Sequence, residues 1–502
     1  MAEITRRRYI GGAGAVLGGL LAVACGEVEI RYVQGPAGPA GPAGAQGERG
    51  ATGAQGVQGE SGAAGQTIVV DKPVTQVVEK TIVAAPNTKV VMWTGFWRGG
   101  NMSDRGTGWT DLTNRWNAEN LNITFVLQPV AGQGKNTDEK IISNYAAGTP
   151  PDLVHTAYWS GGVYGIRDML PELMETFIRH DKMYADTMDD FFPHLLDSSY
   201  WNGQLWSLPQ ETNADLPYTN LAFVREAGLE PLTLGFTWDE WVEWMKVMQT
   251  SLGDGKETGK WAIGHMLNTV VWWNLVFQAG GSIFNEDRTK LVLDSPEALE
   301  ALQFVSDIHH KHQVAVPHGD YYKETGKERP SFRKGQIGQF YETSASRLVT
   351  WAQDIGGLDN MYVTPSPTKK QPFVANFGQN TYLFKTNTQQ MEAAWQVMRW
   401  LTSTDAAAHY AAVTMFLAPR KSVLVHPEYQ AVRERVPQFE TFVQSLSYGF
   451  RPFHPTLPSM FGGIGGMLSE AGKNPNANLK DGLAEMVRVE NAKLAKWTAD
   501  NA

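Results

Sequence analysis

Past residue 88, apolar positions come in two alternating rhythms. Val90-Val91-Met92-Trp93 is a short apolar run of the length that forms a buried strand. Across Trp109–Asn120, Leu112 and Trp116 recur at helical spacing. Ile123 to Leu127 reads as a second strand. Glu139 to Ala147 reads as a helix stopped at Gly148, and Pro151-Asp152-Leu153-Val154 opens a third strand. The same alternation returns with a helix over 238–250, a strand over 261–266 and a helix over 296–311. Strands over 336–341 and 361–363 follow, then a helix over 391–402. Strands separated by helices predict parallel βαβ units with helices on both faces, an α/β fold.

The densest stretch runs from Tyr200 to Trp244. A short strand signal leaves through Leu208-Pro209 into a polar run ending at Tyr218-Thr219-Asn220. A helical pattern follows, with Gly228 as its stop. Thr237 then reads as an N-cap with Glu240 as its capping-box partner. Other short landmarks accompany it in order. They are Ala147-Gly148-Thr149-Pro150-Pro151-Asp152-Leu153, Gln278-Ala279-Gly280-Gly281, Phe332-Arg333-Lys334-Gly335-Gln336 and Thr402-Ser403-Thr404-Asp405-Ala406.

Together, over residues 89–500, these landmarks resemble extracellular solute-binding proteins of the maltose-binding-protein type. The resemblance implies a two-lobe periplasmic-binding-protein type II fold, each lobe a mostly parallel sheet flanked by helices. Residues 88–212 and 365–405 would form lobe 1, and residues 213–364 and 406–502 lobe 2. The ligand would sit between them and be gripped by hinge closure. The implied partners are a small molecule, a sugar by preference, and the permease subunits of an ABC importer. The implied role is a carrier, not an enzyme, and no cofactor or metal is called for.

The first 87 residues carry a different pattern. Thr5-Arg6-Arg7-Arg8-Tyr9-Ile10 precedes an apolar run to Ala24 that is too short to span a bilayer comfortably. This reads as a signal peptide over 1–24 and resembles a twin-arginine export signal; a general secretion signal stays open. Leu21-Ala22-Val23-Ala24-Cys25-Gly26 resembles a lipobox, with Ala22 where Leu or Val is usual. Cys25, the sole cysteine, would become the lipidated N-terminus, and 25–34 the anchored segment outside the cell membrane. Residues 35–65 place glycine at every third position, the collagen signature. A spacer and a trimeric rod both fit; the absence of proline at the third triplet position favours the spacer. Extended, its 30-odd residues would reach roughly 90 Å at ~3.1 Å per residue. Residues 66–87, broken by Pro73, read as linker.

Composition narrows the function. A net charge of -9 without a basic block argues against a nucleic-acid partner. The 17 Trp, 16 Tyr and 21 Phe residues suit a cleft that binds with flat faces. Ligands of open α/β sheets bind beyond the carboxyl ends of strands. The candidates are therefore Trp93 and Trp97 after the first strand, Tyr158 and Trp159 after the third, and Glu211 and Asn213 in the crossover. Trp272 and Trp273, of which at most one would face the cleft, precede the Ala279-Gly280-Gly281 landmark. Tyr341 and Glu342, Phe377 and Gln379 at the return crossing, and Phe461 complete the set. Rings would cover the apolar faces of a sugar, and amides and carboxylates would meet its hydroxyls. Thr343-Ser344-Ala345-Ser346 lacks the aromatic of the maltose-binding branch, which argues against simple maltodextrin specificity.

Two other functions compete. One is a surface adhesin or sensor on a collagen-like stalk. The other is a glycoside hydrolase pairing carboxylates from Glu211, Asp215 and Glu342. His309 and His312 share a helical face but read as a solvated helix end. Gly462-Gly463-Ile464-Gly465-Gly466 lacks the ending of a phosphate loop and reads as a close-packing helix start.

Overall fold

The computed structural model describes residues 87–94, 103–130, 135–264, 266–318, 328–342 and 344–501. The signal peptide, Cys25, the Gly-X-Y segment and Trp97 lie outside the described residues, as does the side chain of Glu342.

Two sheets organise two lobes. The first has the order β12-β11-β3-β1-β2, with β6 also paired to β11. Its strands are β1 (Thr88–Thr94), β2 (Ile123–Pro129), β3 (Leu153–Ala157), β6 (Leu208–Ala214), β11 (Val374–Leu383) and β12 (Gly449–Phe450). A small hairpin, β4 (Tyr200–Trp201) and β5 (Gln204–Leu205), stands beside it. The second sheet has the order β10-β7-β9-β8. It comprises β7 (Leu216–Asn220), β8 (Trp261–Ile263), β9 (Ile337–Glu342) and β10 (Met361–Val363).

Ten helices matter for the argument: α1 (Ser103–Glu119), α2 (Lys135–Ala146), α3 (Leu221–Glu226), α4 (Trp238–Leu252), α5 (Thr269–Gln278), α6 (Pro296–His310), α7 (Thr388–Leu401), α8 (Thr404–Thr414), α9 (Leu457–Lys473) and α10 (Leu479–Asp500).

β1 lies between β2 and β3, parallel to both, so the βαβ half of the first sheet follows the expected pattern. Its central strands β3 and β11 are buried along almost their whole length because both faces are covered, although they carry buried polar residues such as His155 and Asn380. The sheets are nonetheless mixed. β11 runs antiparallel to β3 and β6, and β7 antiparallel to β9 and β10. The physical reason is connectivity: these strands carry the chain between lobes, so they enter each sheet without a helical crossover and take the opposite direction.

Local signals explain the ends of elements. Thr237 caps α4 with a reciprocal box to Glu240, and Gly228 follows α3 with φ 67°. The strand expected over 261–266 is shorter, ending at Ile263. The Gly462–Gly466 run falls inside α9 and does not start it. There a Cβ at Gly463 would come 2.5 Å from the Glu490 carboxylate of α10, so glycine lets the two helices close together. His309 is 9% exposed, against the expectation of a solvated helix end, because α6 turns that face into the core of the second lobe.

That core gathers Trp241, Met245, Trp272, Leu302, Ile464 and Leu483. The first lobe buries Met92, Trp109, Phe125 and Trp395 on one side of its sheet. Trp93, Tyr164, Trp206 and Tyr382 form a smaller cluster. A further core joins Tyr218, Phe340, Trp351, Leu417 and Phe442.

Candidate functional site

Three chain segments pass between the sheets. The first is the shortest: β6 ends at Ala214, β7 begins at Leu216, and Asp215 alone joins them. The second runs from β10 to β11, and the third from β12 to α9. Backbone register then fixes neighbours. On β11, Phe377 lies opposite Asn213, and Gln379 lies opposite Glu211 on one side and Ala157 on the other.

A buried polar network locks these crossings. Arg105 of α1 ion-pairs with the Glu211 carboxylate and donates to Gln379 Oε1 at 2.8 Å. The Tyr410 hydroxyl of α8 donates to the other Glu211 oxygen at 2.6 Å. Glu211 is 1% exposed. Burial raises its pKa, and Arg105 and Tyr410 hold it down. Arg451 on the third crossing donates to Glu211 O at 3.3 Å and to Asn380 Oδ1 at 3.1 Å. Its guanidinium also lies 4.7 Å from the Tyr158 ring centroid. Burial pulls the Arg451 pKa down to about 10, still far above neutral, so it stays charged.

Beside this network runs a line of rings drawn from both lobes. Trp159 meets Tyr158 edge to face at 4.9 Å, and Tyr158 meets Phe377 at 6.2 Å. Phe377 lies nearly parallel to Trp273 of α5, at 6.4 Å and 12°. Trp273 in turn meets Phe461 of α9 at 5.4 Å. Trp159, Phe377, Phe461 and Tyr341 remain partly exposed at the margin of the second lobe's core. Along this line the Nε1 atoms of Trp159 and Trp273 and the Oδ1 atom of Asn213 have no hydrogen-bond partner among the described residues.

The candidates therefore divide. The fold brings Tyr158, Trp159, Asn213, Trp273 and Phe461 into one neighbourhood. Tyr341 lies on β9 opposite Pro217, at the margin of the second lobe's core. Glu211 and Gln379 sit in the network behind, with side-chain acceptors engaged by Arg105 and Tyr410. Tyr158 is fully buried and donates its hydroxyl to Pro452 O at 2.6 Å. Trp272 and Trp273 are both fully buried in the second lobe's core, and Trp273 reaches the line of rings only through its contacts with Phe377 and Phe461. Trp93 is 8% exposed and packs in the first lobe, with the Lys140 ammonium 5.6 Å from its ring. Arg451 and Tyr410 complete the arrangement without having been singled out. Phe377 carried a signal, its place at the return crossing. Arg451 carried only its odd setting in Gly449-Phe450-Arg451-Pro452-Phe453.

What this arrangement offers is binding: partly exposed aromatic faces at Trp159, Phe377 and Phe461, with buried indole N–H and amide groups that have no partner among the described residues just behind them, backed by the Arg105–Glu211 ion pair. Residues 99–408 match the bacterial extracellular solute-binding protein family, and the chain belongs to it. Among curated proteins it is similar to an arabinooligosaccharide-binding protein of Halalkalibacterium halodurans. They are 29% identical over 133 residues, and the match spans 24% of this chain and only 27% of that relative's length. Among solved structures it is similar to the cyclic alpha-maltosyl-1,6-maltose binding protein of Arthrobacter globiformis. There the TM-score is 0.68 at 21% identity, covering 82% of this chain and 100% of that one. It is also similar to UgpB of Mycobacterium tuberculosis in complex with glycerophosphocholine. That TM-score is 0.65 at 17% identity, covering 83% of this chain and 100% of that one. Among the described residues no helix is long and apolar enough to cross a membrane.

Proposed function

We propose that this protein is the extracytoplasmic substrate-binding component of an ABC importer, that its ligand is a neutral oligosaccharide, and that Cys25 anchors it to the outer face of the cell membrane. The observation that carries the ligand class is the unpartnered Trp159 Nε1, Trp273 Nε1 and Asn213 Oδ1 set along the Trp159–Phe377–Trp273–Phe461 line. A sugar ring needs both kinds of group at once, an aromatic face for its C–H surface and donors and acceptors for its hydroxyls. The mechanism is hinge closure about the three crossings, followed by docking of the closed form on a permease. The sugar ligands of two similar proteins point the same way, as does the engagement of Glu211 by Arg105 and Tyr410, which leaves that carboxylate poorly placed for acid–base work.

The test is calorimetric titration of the purified protein with maltotetraose, a cyclic maltosyl-maltose, arabinotriose and glycerophosphocholine. Micromolar or tighter binding of one neutral glycan, lost on Trp159→Ala, is the expected result. Binding of glycerophosphocholine alone, or of none of the four, sinks the carbohydrate reading. Anchoring is checked separately: Cys25→Ala should release the protein from membranes.

A further inference from the structure

We propose a second saccharide-binding site in the cavity between the Asn202-Gly203 turn and the turn at Glu286–Arg288. The cavity holds about 400 Å³, within the size range of small-molecule sites. One wall, Tyr200, Trp201 and Asp197, belongs to the first lobe. The other, Glu286 and Arg288, belongs to the second. It is separate from the ring line described above, because Phe453 intervenes. That ring lies 6.5 Å from Tyr158 on one side and 5.8 Å from Trp201 on the other.

Four observations define what would fit. First, an aromatic platform is held still. The Trp201 ring makes edge contacts with Phe453, with His454 at 5.1 Å and with Trp497 at 5.9 Å. Its Nε1 has no hydrogen-bond partner among the described residues. Second, donors are left over. Among the described residues the Arg288 guanidinium pairs with no carboxylate, although acidic side chains share the cavity, and its recorded ring contact is Phe453 at 5.6 Å. Third, acceptors are left over, since Asp197 and Glu286 form no ion pair among the described residues. Fourth, both walls are pre-set by turns. Asn202 and Gly203 have φ 51° and 75° in the two-residue link between β4 and β5, the form that suits a tight hairpin. Arg288 has φ 58°, in a turn closed by Lys290 N donating to Asn285 Oδ1 at 2.8 Å.

Free donors and free acceptors around an indole exclude a simple ion as the natural occupant. An anion meets Asp197 and Glu286; a cation meets Arg288. A polyhydroxylated ring satisfies both, because each hydroxyl gives and accepts, while its C–H face covers Trp201. The two walls come from different lobes, so occupancy is linked to the angle between them and, reciprocally, to the affinity of the cleft.

The experiment uses the full chain with glucose and maltose as probes, followed by calorimetry and by density in soaked crystals. Arg288→Asn keeps a residue at ease with the positive φ and removes the guanidinium; Glu286→Gln removes an exposed charge. The expected result is weak glucose binding that survives Trp159→Ala and falls at least tenfold in Arg288→Asn, with sugar density against Trp201. If the two cavity variants bind both probes like the wild type, or soaked crystals show no sugar against Trp201, the proposal is overturned and the cleft reading is untouched. If Trp159→Ala leaves all binding in place while Arg288→Asn removes it, the cleft reading falls and this one stands.

Discussion

Arg105, in the first turn of α1, forms a buried ion pair with Glu211 on the strand that leads into the second lobe. Both groups are almost shut off from water, so each relies largely on the other for its charge to be tolerable. Removing one partner of such a pair costs about 3–5 kcal/mol, because the survivor is left uncompensated. Glu211→Gln should therefore lower unfolding free energy by about 3 kcal/mol in urea titration. Arg105→Ala combined with Glu211→Ala should cost clearly less than the two single changes added together. Additive costs would show that the pair is not coupled.

The tryptophans should separate cleanly into two kinds. Trp159 is partly exposed beside the ring line, whereas Trp272 is fully buried in the second lobe. Trp272→Ala should lower stability by about 3–5 kcal/mol, the usual cost of emptying a large core site. Trp159→Ala should cost about 1 kcal/mol or less in stability, as for substitutions outside a core. It should nonetheless weaken glycan binding by at least tenfold. Paired melting curves and calorimetric titrations read both effects.

Acid should loosen the second lobe through His309. Burial pushes its pKa down to about 3, with the nearby His310 and His318 adding to the shift. The folded pKa is below the ordinary value of 6.5, so the unfolded chain binds the proton more readily. This contribution to stability is complete above pH 6.5 and drains away as pH falls toward 3, by about 1.4 kcal/mol per pH unit. His309→Leu should flatten the decline in unfolding free energy between pH 6 and pH 4. An unchanged slope would mean that His309 is solvated after all.

Gly378 tests the register of the crossings. A Cβ there would lie 2.1 Å from Glu211 O and 2.8 Å from Thr212 Cα, and backbone cannot swing aside as a side chain can. Gly378→Ala should cost about 3 kcal/mol, the upper end for overpacking. It should also weaken ligand binding, because it separates β11 from β6. Denaturation and titration of one preparation measure both.

The fold was legible wherever apolar rhythm and caps coincide. Thr237 with Glu240, Gly228 and the run at Val90–Trp93 each end or begin an element where their chemistry requires. The direction of β7 and β11 was not legible, because strand direction is set by which lobe the chain has just left and leaves no mark on local pattern. Half of the candidate site was visible as aromatic residues after strands, such as Trp159. The rest rests on long-range register. Nothing near Arg451 says that it will lie over Tyr158, and nothing near Glu211 names Arg105 as its partner. Burial of Trp93 and Trp272 is likewise a property of packing that residue type alone does not disclose.

The position of β11 bears on the order of folding. It lies next to β3 in the first sheet and also pairs with β6, yet it is made from Val374–Leu383, long after those strands have been synthesised. Until that stretch arrives, the earlier strands present an unfilled edge, and the closure of so long a loop makes pairing slow. A nascent chain ending near residue 370 should consequently stay open and sensitive to protease, even though most of the first lobe's sequence is already present.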